Sequence, residues 1–175
     1  MNKERMDSVK MDVRQKKRLY LLISWAAVLL WMAVIFISSA QPAQVSGANR
    51  KGIVVKLVQA AERTKLIEPG KSTDPNLMGL LDHYFRKCTH GVVYFILGAL
   101  TLHALYRSGR TGKKQYLLSF FFCVLYAASD EFHQLFVPGR GGQVQDVLID
   151  STGAALGLCV LWGITRKRKT KSRRK

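Results

Sequence analysis

The polar residues between Ser129 and Gly157, in SDEFHQLFVPGRGGQVQDVLIDSTGAALG, have types and spacings that suit chemistry. Asp130 and Glu131 are adjacent carboxylates, Asp146 and Asp150 lie one helical turn apart, and His133, Gln134 and Arg140 stand between the two pairs. Paired carboxylates divide the work of general acid and base when their surroundings differ, and beside a guanidinium they also hold a ligand of mixed charge. The flanking segments are apolar. Ionisable groups kept at membrane depth are costly, so they serve a site more often than a surface.

Three helix faces must bring these groups together. Lys87, His90 and Tyr94 are spaced i, i+3, i+7 and share one face, with Gly91, Gly98 and Thr101 on or near it. Tyr126, Asp130, His133 and Gln134 form a second face, with Glu131 about 100° round the helix. Asp146 and Asp150 open a third, where the helix dipole favours carboxylates, and Gly153 and Gly157 extend it. Every one of these sets lies at the same end of its helix. The expectation is a polar pocket lined by Lys87, His90, Tyr94, Asp130, Glu131, Gln134, Arg140, Asp146 and Asp150, with Lys87 and Arg140 partly neutralising the four carboxylates. If the pocket is catalytic, Asp130, Glu131 and His90 are the acid and base candidates. The structural alternative is that the pairs only hold helices together, and capping alone accounts for Asp146 and Asp150 taken by themselves.

Other chemistries are weaker on the same residues. Ser129 and His133 are spaced i, i+4 as a nucleophile and base would be, but no helix-opening turn or oxyanion element surrounds Ser129. Asp130, His133, Asp146 and Asp150 lack the histidine-rich spacing of known metal motifs, so neither a metal nor another cofactor is expected. Cys88, Cys123 and Cys159 form no CxxC and no disulfide framework. A transporter of this size without an internal repeat needs oligomerisation, and the oligomeric state is not legible.

The elements that position the site are apolar segments from Leu19 to about Ala40, Cys88 to Tyr106, Tyr116 to Ala128 and Val147 to Thr165. A hydrocarbon core of roughly 30 Å takes about 20 helical residues, so the third must continue through Asp130, Glu131, His133 and Gln134 to about Phe136. The predicted fold is all-α, an integral membrane bundle of four transmembrane helices. The first apolar run is longer than a signal peptide's core, which favours a retained span.

Charge supports that topology. The chain has 28 Lys and Arg against 11 Asp and Glu, a formal net charge of +17. Seven of the basic residues fall in the first 18 positions, four between Arg107 and Lys114, and eight in the tail RKRKTKSRRK. Four spans with both termini and the middle loop cytoplasmic satisfy the positive-inside rule at all three places. The predicted organisation is a basic segment over 1–18, a membrane domain over 19–165 and a basic tail over 166–175 that is disordered or lipid-bound. The partner implied by these tails is the bilayer; no nucleic acid is expected, because no aromatic residue interleaves the basic ones.

Between the first two spans, a partly helical extracytoplasmic loop is predicted. Gln41-Pro42 ends the first helix, and Ser46 caps a helix to about Leu66 with Val54, Leu57, Val58 and Ala61 on its apolar face and Arg50 off it. Glu68-Pro69-Gly70 and Asp74-Pro75-Asn76 read as turns, and Leu77 to Arg86 as a short helical approach to the second span.

DEFHQLFVPGR at Asp130 to Arg140, DVLIDSTGAALG at Asp146 to Gly157, KCTHGVVYFILG at Lys87 to Gly98 and FISSAQP at Phe36 to Pro42 together resemble the VanZ-like membrane protein family. The resemblance implies a small helical bundle in the bacterial cytoplasmic membrane and a link to teicoplanin resistance, teicoplanin being a glycopeptide with a lipid chain. Taken with the convergence of polar groups at headgroup depth, the expected function is binding of a lipidated glycopeptide or a lipid-linked wall precursor at an outer-leaflet pocket. A hydrolase or transferase acting on such a lipid is the alternative. Two residues depart from the pattern: Asp150 stands where members often carry Asn, and His133 falls at a variable position.

Overall fold

The run from Lys3 to Ser39 contains neither glycine nor proline, and nothing interrupts its helix until Gln41-Pro42. A computed structural model describes the backbone of residues 3–173 and the side chains of residues 12–166. In it α1 spans Lys3–Ser39, carrying helix back through the basic N-terminal segment. Pro42 then takes the N-cap position of α2, Ala43–Arg63, with φ −52° and ψ 145°. The helix thus begins before Ser46, whose hydroxyl bonds the Ala43 carbonyl inside the first turn instead of capping. Proline suits the boundary because its fixed φ feeds the helix and it has no N–H to leave unpaired. α2 ends at Arg63, with Lys65 at φ 58°, three residues short of Leu66.

Asp74 and Pro75 start a helix where the sequence reads as a turn. The Asp74 carboxylate accepts from the Asn76 and Leu77 amides, and Pro75 occupies the first turn of α3, Pro75–Arg107. This is the favoured N-terminal arrangement for both residue types. Leu77 to Arg86 is therefore the first part of one 33-residue helix and not a separate approach. A 3-10 turn at Lys71–Thr73 precedes it, its Ser72 amide and hydroxyl bonded to Glu62 at 2.8 and 3.0 Å. α4, Lys113–Gln134, and α5, Val144–Arg173, complete an all-helical chain without strands among the described residues. α5 continues into the basic tail read as disordered or lipid-bound. Lysine and arginine are good helix formers, and no glycine or proline follows Gly163 to stop it.

Three stretches are long and apolar enough to cross a membrane: Asp12–Ser39, Pro75–Arg107 and Val144–Arg166. The predicted third span is not among them, because α4 has 22 residues and gives its ends to Lys113, Lys114, Asp130 and Glu131. Large apolar side chains such as Leu22, Leu30, Leu125 and Leu156 remain exposed on the bundle's outside, as lipid-facing residues do.

α3 and α5 meet most closely. A Cβ on Gly153 would lie 2.1 Å from the Gly91 carbonyl oxygen, and one on Gly157 2.6 Å from that of Phe95. Small residues permit this backbone approach, and the absent side chains are what set the helix register. α1 is fastened to α3 and α4 by polar anchors: Trp31 Nε1 donates to the Val93 carbonyl at 3.0 Å, and the Tyr126 hydroxyl of α4 to the Met32 carbonyl at 2.6 Å. Val28, Ile35, Tyr94, Leu97, Cys123, Ala127 and Ala154 form the core between these helices. α2 packs on α3 through buried Val54 and Val58, while Leu57 is 56% exposed. Arg50, expected off the packed face, forms a two-point ion pair with Asp82 at 2.6 and 2.9 Å.

Candidate functional site

The polar groups from all three predicted faces collect where α1 ends and α5 begins. Asp130, Glu131, Gln134, Asp146 and Asp150 are each no more than 4% exposed. Five buried polar side chains in so small a bundle need partners, and the partners explain the local sequence.

Gln134, fully buried one turn after Asp130, is the hub. Its amide nitrogen donates to Asp130 Oδ2 at 3.1 Å and to Glu131 Oε1 at 3.0 Å, and its amide oxygen accepts from Arg140 Nη1 at 3.2 Å. The other Asp130 oxygen accepts from the Ser39 hydroxyl at 2.5 Å, and the other Glu131 oxygen from the Gln143 amide at 2.9 Å. Ending α4 at Gln134 lets the chain turn and return that amide to Glu131.

Arg140 does not pair with a carboxylate directly, contrary to the expected neutralisation. Besides Gln134 it donates to the Gln41 carbonyl at 2.9 Å, the Ser38 carbonyl at 3.3 Å and the Ser46 hydroxyl at 3.1 Å. Its guanidinium thus clasps the C-terminal carbonyls of α1, the first turn of α2 and the end of α4. Such carbonyls carry partial negative charge, which is why a cation fits there.

Asp146 is ion-paired to Lys87, as expected, and also to Arg86 at 3.1 Å. One turn further on, Asp150 lies 3.3 Å from His90 Nδ1, yet neither of its oxygens receives a hydrogen bond. Tyr94, the next member of the α3 face, is buried with its hydroxyl unpartnered. The nine predicted residues are therefore brought to one end of the bundle, but in three linked sets and not around one centre.

The Ser129–His133 dyad is not assembled. Ser129 is exposed, while the His133 ring stacks 4.3 Å from Phe36. Nor do Asp130, His133, Asp146 and Asp150 form a metal cluster; the ligand atoms that approach one another are those of His90, Glu131 and Asp150, all within 4.8 Å.

A cavity of about 530 Å³ opens beside these sets, between α1, the first half of α2, α3 and the loop after α4. Its lining includes the polar residues Arg50, Arg86, His90, Tyr94, Asp130 and Arg140 and the apolar residues Trp31, Val34, Ile35, Ile53, Phe85 and Val93. Lys87, Glu131, Gln134, Asp146 and Asp150 are not among its lining residues. Sequence reasoning missed Ser39, Arg50 and Arg86. Arg86 was accessible to it, since it sits one turn before His90 on the same face. Ser39 lies inside the FISSAQP element, whereas the Arg50–Asp82 pair joins residues 32 apart and has no local signal.

Comparison with curated proteins and with solved structures returns no match. A family model does match, over residues 24–166, which takes in α1 from its middle, the cavity and all the paired groups. With most of its length covered and three helices apolar enough for a bilayer, this chain is a membrane protein belonging to the VanZ/LLP1 family.

Proposed function

We propose that the cavity receives the headgroup of an amphiphile, either a lipidated glycopeptide or a lipid-linked envelope component, and that the protein thereby contributes to teicoplanin-type resistance. The observation that supports this reading is the cavity's mixed lining, which combines the guanidinium groups of Arg50, Arg86 and Arg140 with apolar side chains that include Trp31, Val34, Ile35, Ile53, Phe85 and Val93. A headgroup joined to an acyl chain is likewise part charged and part apolar, and a largely preformed concave site with a few placed polar groups is what such ligands use. The cavity wall itself contributes His90, Tyr94, Asp130 and Arg140. Lys87, Glu131, Gln134, Asp146 and Asp150 belong to the linked sets outside that lining.

The reading takes α4 as a fourth span. Its 22 residues make a helix of about 33 Å, enough for the hydrocarbon core, and its polar end packs inward. Four spans put both termini and the Arg107 to Lys114 loop in the cytoplasm, and open the cavity to the outer leaflet of the bacterial cytoplasmic membrane, with α2 over it. A second reading, hydrolysis or transfer on a lipid, is favoured by one observation: His90 and Asp130 both reach the cavity wall, where an acid and a base would act.

Susceptibility of a Gram-positive host to teicoplanin and vancomycin tests the proposal, comparing cells with the wild type, Asp130→Asn, Arg140→Ala or empty vector at matched membrane abundance. Protection selective for teicoplanin and lost in both variants supports headgroup capture. Equal protection against both drugs, or full protection by the variants, refutes it.

A further inference from the structure

Buried negative charge exceeds its direct compensation at this end of the bundle. Of the four buried carboxylates, only Asp146 touches lysine or arginine, and it takes both Arg86 and Lys87. Asp130 and Glu131 are satisfied by neutral donors. Asp150, 0% exposed, has neither a lysine or arginine nor a geometrically formed hydrogen bond; its one near partner is His90 Nδ1 at 3.3 Å, a cation only when protonated. A carboxylate left so in a low-dielectric interior is costly, and each such group calls for an explanation.

We infer that His90, Glu131 and Asp150 form a site for a first-row divalent cation, zinc or manganese. Their ligand atoms come from α3, α4 and α5 and all lie within 4.8 Å of one another. Three donors at about 2.0–2.2 Å from one ion stand roughly 3.3–3.8 Å apart, so the widest separation must close by about 1 Å for all three to bind, within reach of side-chain rotation. One imidazole nitrogen and two carboxylates, with no thiolate, suit these ions better than calcium or copper(I). Three protein ligands leave further coordination positions open, and His90 is shared with the cavity wall. Gln134 and the Gln143 amide already orient Glu131, as hydrogen bonds behind a metal ligand do, and each carboxylate oxygen keeps a second lone pair. The ion would stitch three helices together at the end where polar groups replace apolar packing. This site does not rest on the headgroup reading and stands or falls separately.

The test uses the full chain purified in detergent without a polyhistidine tag, stripped with chelator, then titrated with Zn²⁺ and with Mn²⁺ and quantified by elemental mass spectrometry. One ion per chain is expected, bound at least about tenfold more weakly by Asp150→Asn and His90→Ala, and unchanged by His83→Ala or His103→Ala. Zinc-edge X-ray absorption on the wild type needs no variant to fold, and is expected to show one imidazole with oxygen donors. No stoichiometric ion in the wild type, unchanged affinity in Asp150→Asn, or a shell with two or more imidazoles overturns the proposal.

Discussion

Replacing Gly153 with alanine introduces a methyl group where the α3 backbone already lies. Its Cβ would stand 2.1 Å from the Gly91 carbonyl oxygen, 2.7 Å from that carbonyl carbon and 2.8 Å from Gly91 Cα. Those are backbone atoms of a long helix and cannot swing aside, so relief requires α3 and α5 to part by roughly 1 Å. Overpacking of this kind costs about 1–3 kcal/mol, against less than about 1 kcal/mol gained from alanine's better helix propensity. The net expectation is a loss of about 1–2 kcal/mol. Gly163, further along α5, meets nothing within 4 Å, so Gly163→Ala should be neutral or stabilising by up to about 1 kcal/mol. Denaturant unfolding in detergent, followed by tryptophan fluorescence from Trp25, Trp31 and Trp162, compares the two variants directly. If Gly153→Ala matches Gly163→Ala in stability, the close α3–α5 contact is not a feature of the folded protein. The register it sets for His90–Asp150 and Lys87–Asp146 would then be wrong as well.

The polar sets yield further expected outcomes. Gln134→Leu takes one donor from each of two buried carboxylates and one acceptor from Arg140, and should cost about 2–4 kcal/mol in the same unfolding assay, whereas Ser39→Ala removes one bond to Asp130 and should cost about 1–3 kcal/mol. Lys87→Met should be destabilising because Arg86 alone remains on Asp146, and Lys87→Met/Asp146→Leu should recover part of the loss; a double variant worse than the sum of the singles would contradict a buried-pair account. At Glu62 the Ser72 amide bonds the carboxylate and holds its pKa below the ordinary value near 4.5. A depressed folded pKa contributes stability above the unfolded value and loses it as pH falls through the folded one, so hydrogen-exchange protection factors at the 3-10 turn, normalised for the intrinsic slowing of exchange in acid, should fall below about pH 4.5 in the wild type but not in Glu62→Gln.

Much of the bundle was legible because membrane helices announce themselves by length and apolarity, and because Lys87, His90, Asp130, Asp146 and Asp150 recur at helical spacing. The same periodicity put Gly153 and Gly157 on the Asp146–Asp150 face, but which helix that face meets was not legible. Boundaries were less legible where one residue type plays two parts. Asp74-Pro75 reads as a turn and starts a helix, and Pro42 both stops α1 and admits α2. Partner choice was least legible: Arg140 was expected on a carboxylate and instead holds carbonyls from α1, a contact set by how α1 and the loop after α4 converge. The approach of His90, Glu131 and Asp150 depends on three helices at once, so no motif spacing reveals it.

Direct binding to the protein in lipid nanodiscs tests the headgroup cavity most closely, with teicoplanin, vancomycin and a polyprenyl pyrophosphate as ligands and the wild type compared with Arg140→Ala. Saturable binding of a lipidated ligand by the wild type, at least about tenfold tighter than by the variant and absent for vancomycin, is the predicted result; tenfold corresponds to about 1.4 kcal/mol, within what a charge-assisted contact contributes. Equal affinity in wild type and variant, or binding of vancomycin as tight as that of teicoplanin, would contradict the account.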